Sequence, residues 1–530
     1  MNKPLDSNDR QASELEMTGA RAFALIAEAF PVCAVSDEFY FFPQVVPEVR
    51  NWSAWDDFSA AKVASVADRL LGFEEGLLSL SGPEMPVDDV MDACLLSQAL
   101  STLREQLVEI CPQSTQPTFH LTVLASGLAD ALAVGDQEAW LSRIAGGGAF
   151  LHRAADCLVG VPELFLNLGF QMIGDLHGWF RQLQVEGVSV GDLPAALQDF
   201  RSALQKVKVV EDYRLPEELL EKMVVKHLDC GVGSDAAELL LHEELQAMEF
   251  LLMDEAGRLA PGLSWLEAQR HIPFIATSGD DLLRLYLREL VSMEGHCRQH
   301  GLVPDSLPGL ATLEVAAVPD YMAAIRASDA YSACPGYPPR GGVFFVMKQA
   351  RESDGCPGRT LEYRMTAAHE GWPGHHLLDA CRWNLDRPMR RPLESPLFYE
   401  GWACLAEELM AETGYLNHPW DRFLLAKRRA ERAARGLVDL GLQSGRMTND
   451  QAVRLLVRVG YLPEKAHAVI PKYLLRPGYQ VCYTLGLRRG LDLFERFGKE
   501  SINTFSQTFL RQGEIGFDRL TKILSASHKQ

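Results

Sequence analysis

Residues Thr366 to Leu378 read TAAHEGWPGHHLL, and the histidines of this stretch decide how the rest of the chain is read. A His followed by Glu on a helix divides two jobs. The imidazole faces a metal ion, and the carboxylate, one position round, faces water as a general base. The usual second ligand stands four residues after the first. Here that place is Pro373, and the next histidines are His375 and His376. Seven residues of straight helix return to nearly the same face but ~10 Å along the axis. That is too far for two bonds of roughly 2 Å to one ion. Pro373 cannot donate to the carbonyl of His369, and Gly374 is permissive, so a kink or bulge is expected between them. The kink brings His376 within reach. The reading takes His369 and His376 as ligands, Glu370 as base, and His375 as a neighbour facing the ligands or a substrate.

A third ligand belongs on a neighbouring element. Ser395 to Glu412 reads SPLFYEGWACLAEELMAE. Ser395 can cap a helix, Pro396 suits its first turn and Gly414 can end it. Glu400 opens a Glu-Gly-Trp, whose glycine removes bulk as a close helix–helix approach would require. Glu407, two turns on, shares the face of Glu400 and is placed to orient an imidazole, as is Asp379, three residues after His376. A lone His-Glu carries no such meaning: His242-Glu243 has Gln246 at the fourth place and reads as a solvated face.

Upstream, Pro335 to Gly342 (PGYPPRGG) excludes helix, and Val343 to Met347 reads as a short strand. Such a strand, just before the His369 helix, is a candidate edge for pairing with an extended peptide. Gly355 to Gly358 reads as a turn. Elsewhere helical periodicity dominates, as in Ala60 to Leu80, Val90 to Ile110, Pro216 to Leu228 and Ala236 to Met253. The expected architecture is mainly α: one large helical body with a deep cleft, spanning 1–530, and a short β element beside the metal-binding helix. Turn-rich residues Gly301–Gly309 divide a helical half, 20–305, from the site-bearing half, 310–530.

The 530 residues carry a net charge of −20, which argues against a nucleic-acid partner. The densest basic stretch, Lys427 to Arg435 (KRRAERAAR), reads as the solvated face of a helix. Eleven scattered cysteines contain no Cys-x-x-Cys pair, which suggests reduced thiols. No signal-peptide core or membrane-length apolar run appears. The expectation is a soluble cytoplasmic protein with no membrane partner.

The motifs together resemble a known bacterial family, the domain of unknown function 885. The resemblance rests on His-Glu-x-x-Pro-Gly-His-His at 369–376 and Glu-Gly-Trp-Ala at 400–403. It extends to Val318-Pro319, Arg340 and Phe344-Phe345-Val346 upstream, and to Tyr473, Pro477-Gly478, Tyr483 and Gly486 downstream. The resemblance implies a fold similar to helical zinc carboxypeptidases of the carboxypeptidase Taq type, with a gluzincin-like site. It implies zinc, one ion per chain, on two His and one Glu. The 24 residues from His376 to Glu400 are similar to the gap in helical peptidases of the angiotensin-converting type, which favours His376. It also implies that Glu370 is the general base and that Tyr483, with Tyr473, donates to an oxyanion. The chain departs from the family pattern at Tyr479, where Gln is common, at Gln443, where His is common, and at Arg340-Gly341-Gly342 in place of Arg-Pro-Gly.

The function expected is metal-dependent hydrolysis of amide bonds in short peptides, with Arg340 or Arg476 holding a substrate carboxylate. The alternatives are a metal enzyme acting on a small or modified amino-acid amide, and a non-catalytic metal-binding helical protein.

Overall fold

The computed structural model describes residues 7–80, 85–307, 312–347, 351–353 and 356–527. It is mainly α-helical with small sheets only, as expected. The division within it does not fall near residue 305. One unit takes the chain up to Tyr213 together with two short returns, Pro319–Arg326 and Asp386–Glu394; the other takes Arg214–Val318, Ala327–Leu385 and Ser395–Gln530.

In the first unit, Ala60–Leu80 buries Val63, Val66, Leu70 and Leu77, which recur at three- and four-residue steps and so form one stripe. This stripe packs with Val87–Glu105, whose Leu96, Leu100 and Leu103 are also buried. The returns are tied in by charge and by ring contact. Arg390 Nε lies 2.5 Å from Asp92 Oδ1, and the ring of Tyr321 sits 4.2 Å from that of Trp179.

The second unit carries the motif residues. Ser234–Leu259 packs on Asp421–Gln443, and Pro396–Glu412 packs on Val481–Leu493. The second crossing is set by glycine. A Cβ on Gly401 would lie 2.8 Å from Gly486 Cα, and one on Gly486 would lie 2.5 Å from the Leu397 carbonyl oxygen. Only two facing glycines allow backbones this close.

A three-stranded sheet stands in front of the His369 helix, in the order Leu313–Ala317, Gly342–Val346, Ala330–Ala333. The strand expected at 343–347 is therefore present, but it is the central one, parallel to the first and antiparallel to the last. Its ladder groups are paired on both sides, so it is not the edge that the sequence suggested. Two-sided pairing leaves no row of groups for a peptide. The turn expected at Gly355 to Gly358 is also revised. Gly355 lies outside the described residues, and Cys356–Thr360 is a strand paired with Phe274–Ala276 and Arg351–Ser353. Of the expected divider, residues 308–311 lie outside the described set. No disulfide joins the described cysteines, and no described helix is long and apolar enough to cross a membrane.

Candidate metal centre

The helix that carries His369 runs from Tyr363 to Glu370 and stops. The chain leaves helical geometry for four residues and restarts as His375–Trp383. Gly374 makes the break possible. Its N–H donates to the Ala368 carbonyl at 2.9 Å, and a Cβ there would stand 1.8 Å from the carbonyl oxygen of His369. The carbonyl of Pro373 accepts from Trp402 Nε1 at 2.8 Å, which pins the break to the Glu400 helix.

This break decides which histidine meets Glu400. His369 Nε2 lies 3.4 Å from Glu400 Oε2, and His375 Nε2 lies 3.6 Å from the same oxygen. The three donor atoms lie within 4.8 Å of one another and all three residues are buried. The choice of His376 is corrected. Counting along a kinked helix assumes that helical phase persists through Pro373-Gly374; the observed restart resets it by one position. His376 turns instead into an apolar pocket, with its ring 5.1 Å from Trp372 and 5.8 Å from Tyr331. Neither of its nitrogens has a hydrogen-bond partner, and burial pushes its pKa down to about 4.

The donor set fits a small divalent ion. Bonds of ~2.05 Å to a tetrahedral ion place neighbouring donors ~3.3 Å apart, close to the two distances observed. Glu400 Oε2, though buried, has no hydrogen-bond partner of its own. It lies beside both Nε2 atoms. The other oxygen, Oε1, accepts from Tyr479 Oη at 2.9 Å, which leaves Oε2 as the inward donor. Burial raises the Glu400 carboxyl, but His369 and His375 outweigh it and hold the group well below the usual carboxylate range.

His369 is oriented from behind, whereas His375, whose buried Nδ1 has no hydrogen-bond partner, is held by a ring on its face. Glu407 Oε1 lies 3.0 Å from His369 Nδ1, so Nε2 faces inward. Glu407 is held in turn by Arg428 Nε at 2.8 Å and Arg432 at 2.5 Å. Its carboxyl, raised by burial, is carried well below the ordinary range by Arg428, Arg432 and His369. His375 stacks on Tyr399 with ring centroids 3.9 Å apart. Tyr399 Oη donates to Asp379 Oδ2 at 3.3 Å, and Asp379 also carries Arg382. Asp379 thus reaches His375 through a tyrosine and not by its own carboxylate.

Glu370 points from the end of its helix toward the sheet. Its Oε2 accepts from the backbone N–H of Tyr331 at 2.7 Å, on the outer strand Ala330–Ala333. Burial is the main influence on it and raises its pKa. Tyr483 lies 6.3 Å from the His369 ring, nearly parallel to it. Tyr473 is drawn toward Tyr461 and Arg435. Arg476 sits over the Tyr479 ring at 5.6 Å, whereas Arg340 is exposed with its side chain folded against Gly336.

The stretch Lys427 to Arg435 is not the solvated face that was expected. Arg428, Arg432, Arg435 and Asp439 fall at i, i+4, i+7 and i+11, one stripe of the Asp421–Gln443 helix, and that stripe faces the site. Arg435 Nε donates to Gln480 Oε1 at 2.8 Å. Asp439 accepts from the N–H groups of Gly478 and Gln480, both at 3.1 Å, and so fixes the turn that carries Tyr479. Gln443, one turn further, accepts from the Leu215 N–H at 3.3 Å. Tyr399, Tyr479 and the arginines were missed as site residues. The signal available was spacing: a charged stripe continuing into Asp439 and Gln443, and a tyrosine directly before Glu400.

Two solved structures share this fold. One is described as a "putative lipoprotein" from Colwellia psychrerythraea, with a TM-score of 0.77 and 16% identity, covering 98% of this chain and 99% of that one. The other, a "putative lipoprotein of unknown function" from Shewanella oneidensis, has a TM-score of 0.70 and 15% identity, covering 98% and 100%. No curated protein matches the chain. The two descriptions stand against the cytoplasmic placement expected from the sequence, which is withdrawn. A lipid anchor needs no membrane-crossing helix, so the lack of an apolar span never bore on the question. Residues 185–524 match the family described as "Bacterial protein of unknown function (DUF885)", and the chain belongs to that family.

Proposed function

We propose that this protein is a metal-dependent hydrolase of amide bonds in short peptides. The observation that carries the reading is the convergence of His369 Nε2, His375 Nε2 and Glu400 Oε2 on one buried point, with Glu370 beside it. A nitrogen and oxygen donor set suited to zinc supports it. Held by these three residues, the ion would supply Lewis acidity and a water of lowered pKa.

The chain's own groups account for the remaining work. Glu370 is held by the Tyr331 N–H through one oxygen, which leaves the other for a proton. Burial makes its carboxylate a stronger base than an exposed one. It takes a proton from the attacking water and delivers it to the leaving amine. Tyr479 is committed to Glu400, so it positions a ligand. Tyr483, half-buried beside His369, also reaches the Glu400 carboxylate, and in this reading its phenol turns from there to a developing oxyanion. The lipoprotein description of the two structural neighbours supports an exported setting for this activity.

The test is hydrolysis of a panel of blocked di- and tripeptides by zinc-loaded wild type and Glu370→Gln. The reading expects turnover by the wild type, abolished by chelation, and a fall of roughly 10²–10⁴-fold in Glu370→Gln. Metal-loaded wild type that cleaves no member of the panel overturns it.

A further inference from the structure

Arg435 differs from every other cation in the middle of its helix. Lys427 has Glu362 and Glu431, Arg428 has Glu407, Arg429 has Glu244 and Glu408, and Arg432 has Glu407. Among the described residues no Asp or Glu pairs with Arg435. Its Nε donates to the Gln480 side chain, and its guanidinium lies over the rings of Tyr483 at 4.4 Å and Tyr473 at 5.5 Å. The acid one turn on, Asp439, is occupied by two backbone N–H groups, and the acid one turn back, Glu431, holds Lys427. Arg435 acts on Asp439 only at a distance, without an ion pair between them, and a half-buried cation without a paired anion is costly unless something else supplies one.

Its position says where that anion belongs. The Tyr483 ring has the Arg435 guanidinium 4.4 Å from its centroid and the His369 ring 6.3 Å from the same centroid. Arg435 is therefore no farther than those two lengths combined from the His369 ring, a span covered by about three extended residues at ~3.5 Å each. Stacking on two phenols and one hydrogen bond at Nε fix the plane of the guanidinium. Its terminal N–H groups remain for a forked contact, the geometry by which Arg recognises a carboxylate.

We propose that Arg435 seats the free α-carboxylate of the substrate, so that peptides are cut within a few residues of their carboxyl end. This rests on the hydrolase reading above for the bond that is cut. It does not rest on it for the binding, which is measurable without turnover.

The probes are acetyl-Ala-Ala-Phe and its C-terminal amide, titrated calorimetrically into zinc-loaded protein carrying Glu370→Gln. The free acid is expected to bind ~10-fold or more tightly than the amide, the range of a hydrogen bond to a charged group. Adding Arg435→Gln should bring the acid-to-amide ratio close to one, and Arg435→Lys should leave it in between. Equal binding of acid and amide before Arg435 is changed overturns the proposal and needs no variant that might misfold. So does an acid preference that survives Arg435→Gln in a protein with an unaltered melting curve. Acid-selective binding that depends on Arg435, in a wild type that hydrolyses nothing, supports the carboxylate seat while removing the hydrolase reading.

Discussion

Oε1 of Glu407 lies 3.0 Å from Nδ1 of His369; the same oxygen takes Arg432, and Oε2 takes Arg428. One acid thus holds the imidazole of a candidate ligand and neutralises two guanidiniums. Glu407→Gln removes both effects at once. It should lower metal affinity roughly 10- to 100-fold. It should also cost about 3–5 kcal/mol of stability, because two cations lose their shared counter-charge. Competition with a chelator and urea unfolding measure the two effects. A variant as stable as wild type would show that Arg428 and Arg432 do not depend on Glu407.

Gly374 is the second point of leverage, since any Cβ there runs into the carbonyl of His369. Gly374→Ala should cost roughly 3 kcal/mol or more, and it should remove metal binding by displacing His375. Melting temperature and metal content of the same preparation check this. A variant that keeps both contradicts the claim that the break between the helices sets the site.

Tyr479 stands where the family commonly has Gln, and its hydroxyl is bonded to Glu400 Oε1. Tyr479→Phe leaves that buried oxygen without its donor, at a cost of about 1–3 kcal/mol. Tyr479→Gln, which offers an amide donor, should recover part of the loss. Chemical unfolding of the three proteins tests this order.

Asp439 supplies a pH signature away from the ligands. Burial pushes its carboxyl up from 3.8 to about 7, against the opposing pull of Gly478 N–H, Gln480 N–H and Arg435. A raised folded-state pKa means that the fold favours the protonated acid. The stability from this group is full below the unfolded value and is lost as pH rises through about 7. The stability of wild type relative to Asp439→Asn should therefore fall between pH ~4 and ~7. Urea unfolding at several pH values measures it, and a difference that grows with pH contradicts the assignment.

The sequence was most informative where one residue type carries one physical meaning. Apolar periodicity marked the helices, Gly401 foretold a close helix crossing, and Pro335 to Gly342 marked a stretch without helix. It was least informative where meaning depends on phase or on partners far along the chain. The neighbours His375 and His376 differ only in where the helix restarts, which follows from Gly374 and Trp402 and not from counting. The arginines at 428, 432 and 435 have the spacing of a solvated stripe and of a buried one alike. Only the carboxylates brought opposite them, with the tyrosines that bracket Arg435, separate the two. Likewise, the strand at Gly342–Val346 carries no mark in its own residues of being central, because its neighbours come from residues 313–317 and 330–333.

The central claim is that His369, His375 and Glu400 form one metal site, and metal content by mass spectrometry tests it most directly. The comparison is untagged, zinc-reloaded wild type against Glu400→Ala, His375→Leu and His376→Leu. About one ion per chain is expected in the wild type. It should be lost in Glu400→Ala and in His375→Leu, but retained in His376→Leu, whose side chain already lies among apolar rings. A wild type that takes up no metal contradicts the account, and so does a site that survives loss of His375 but not of His376.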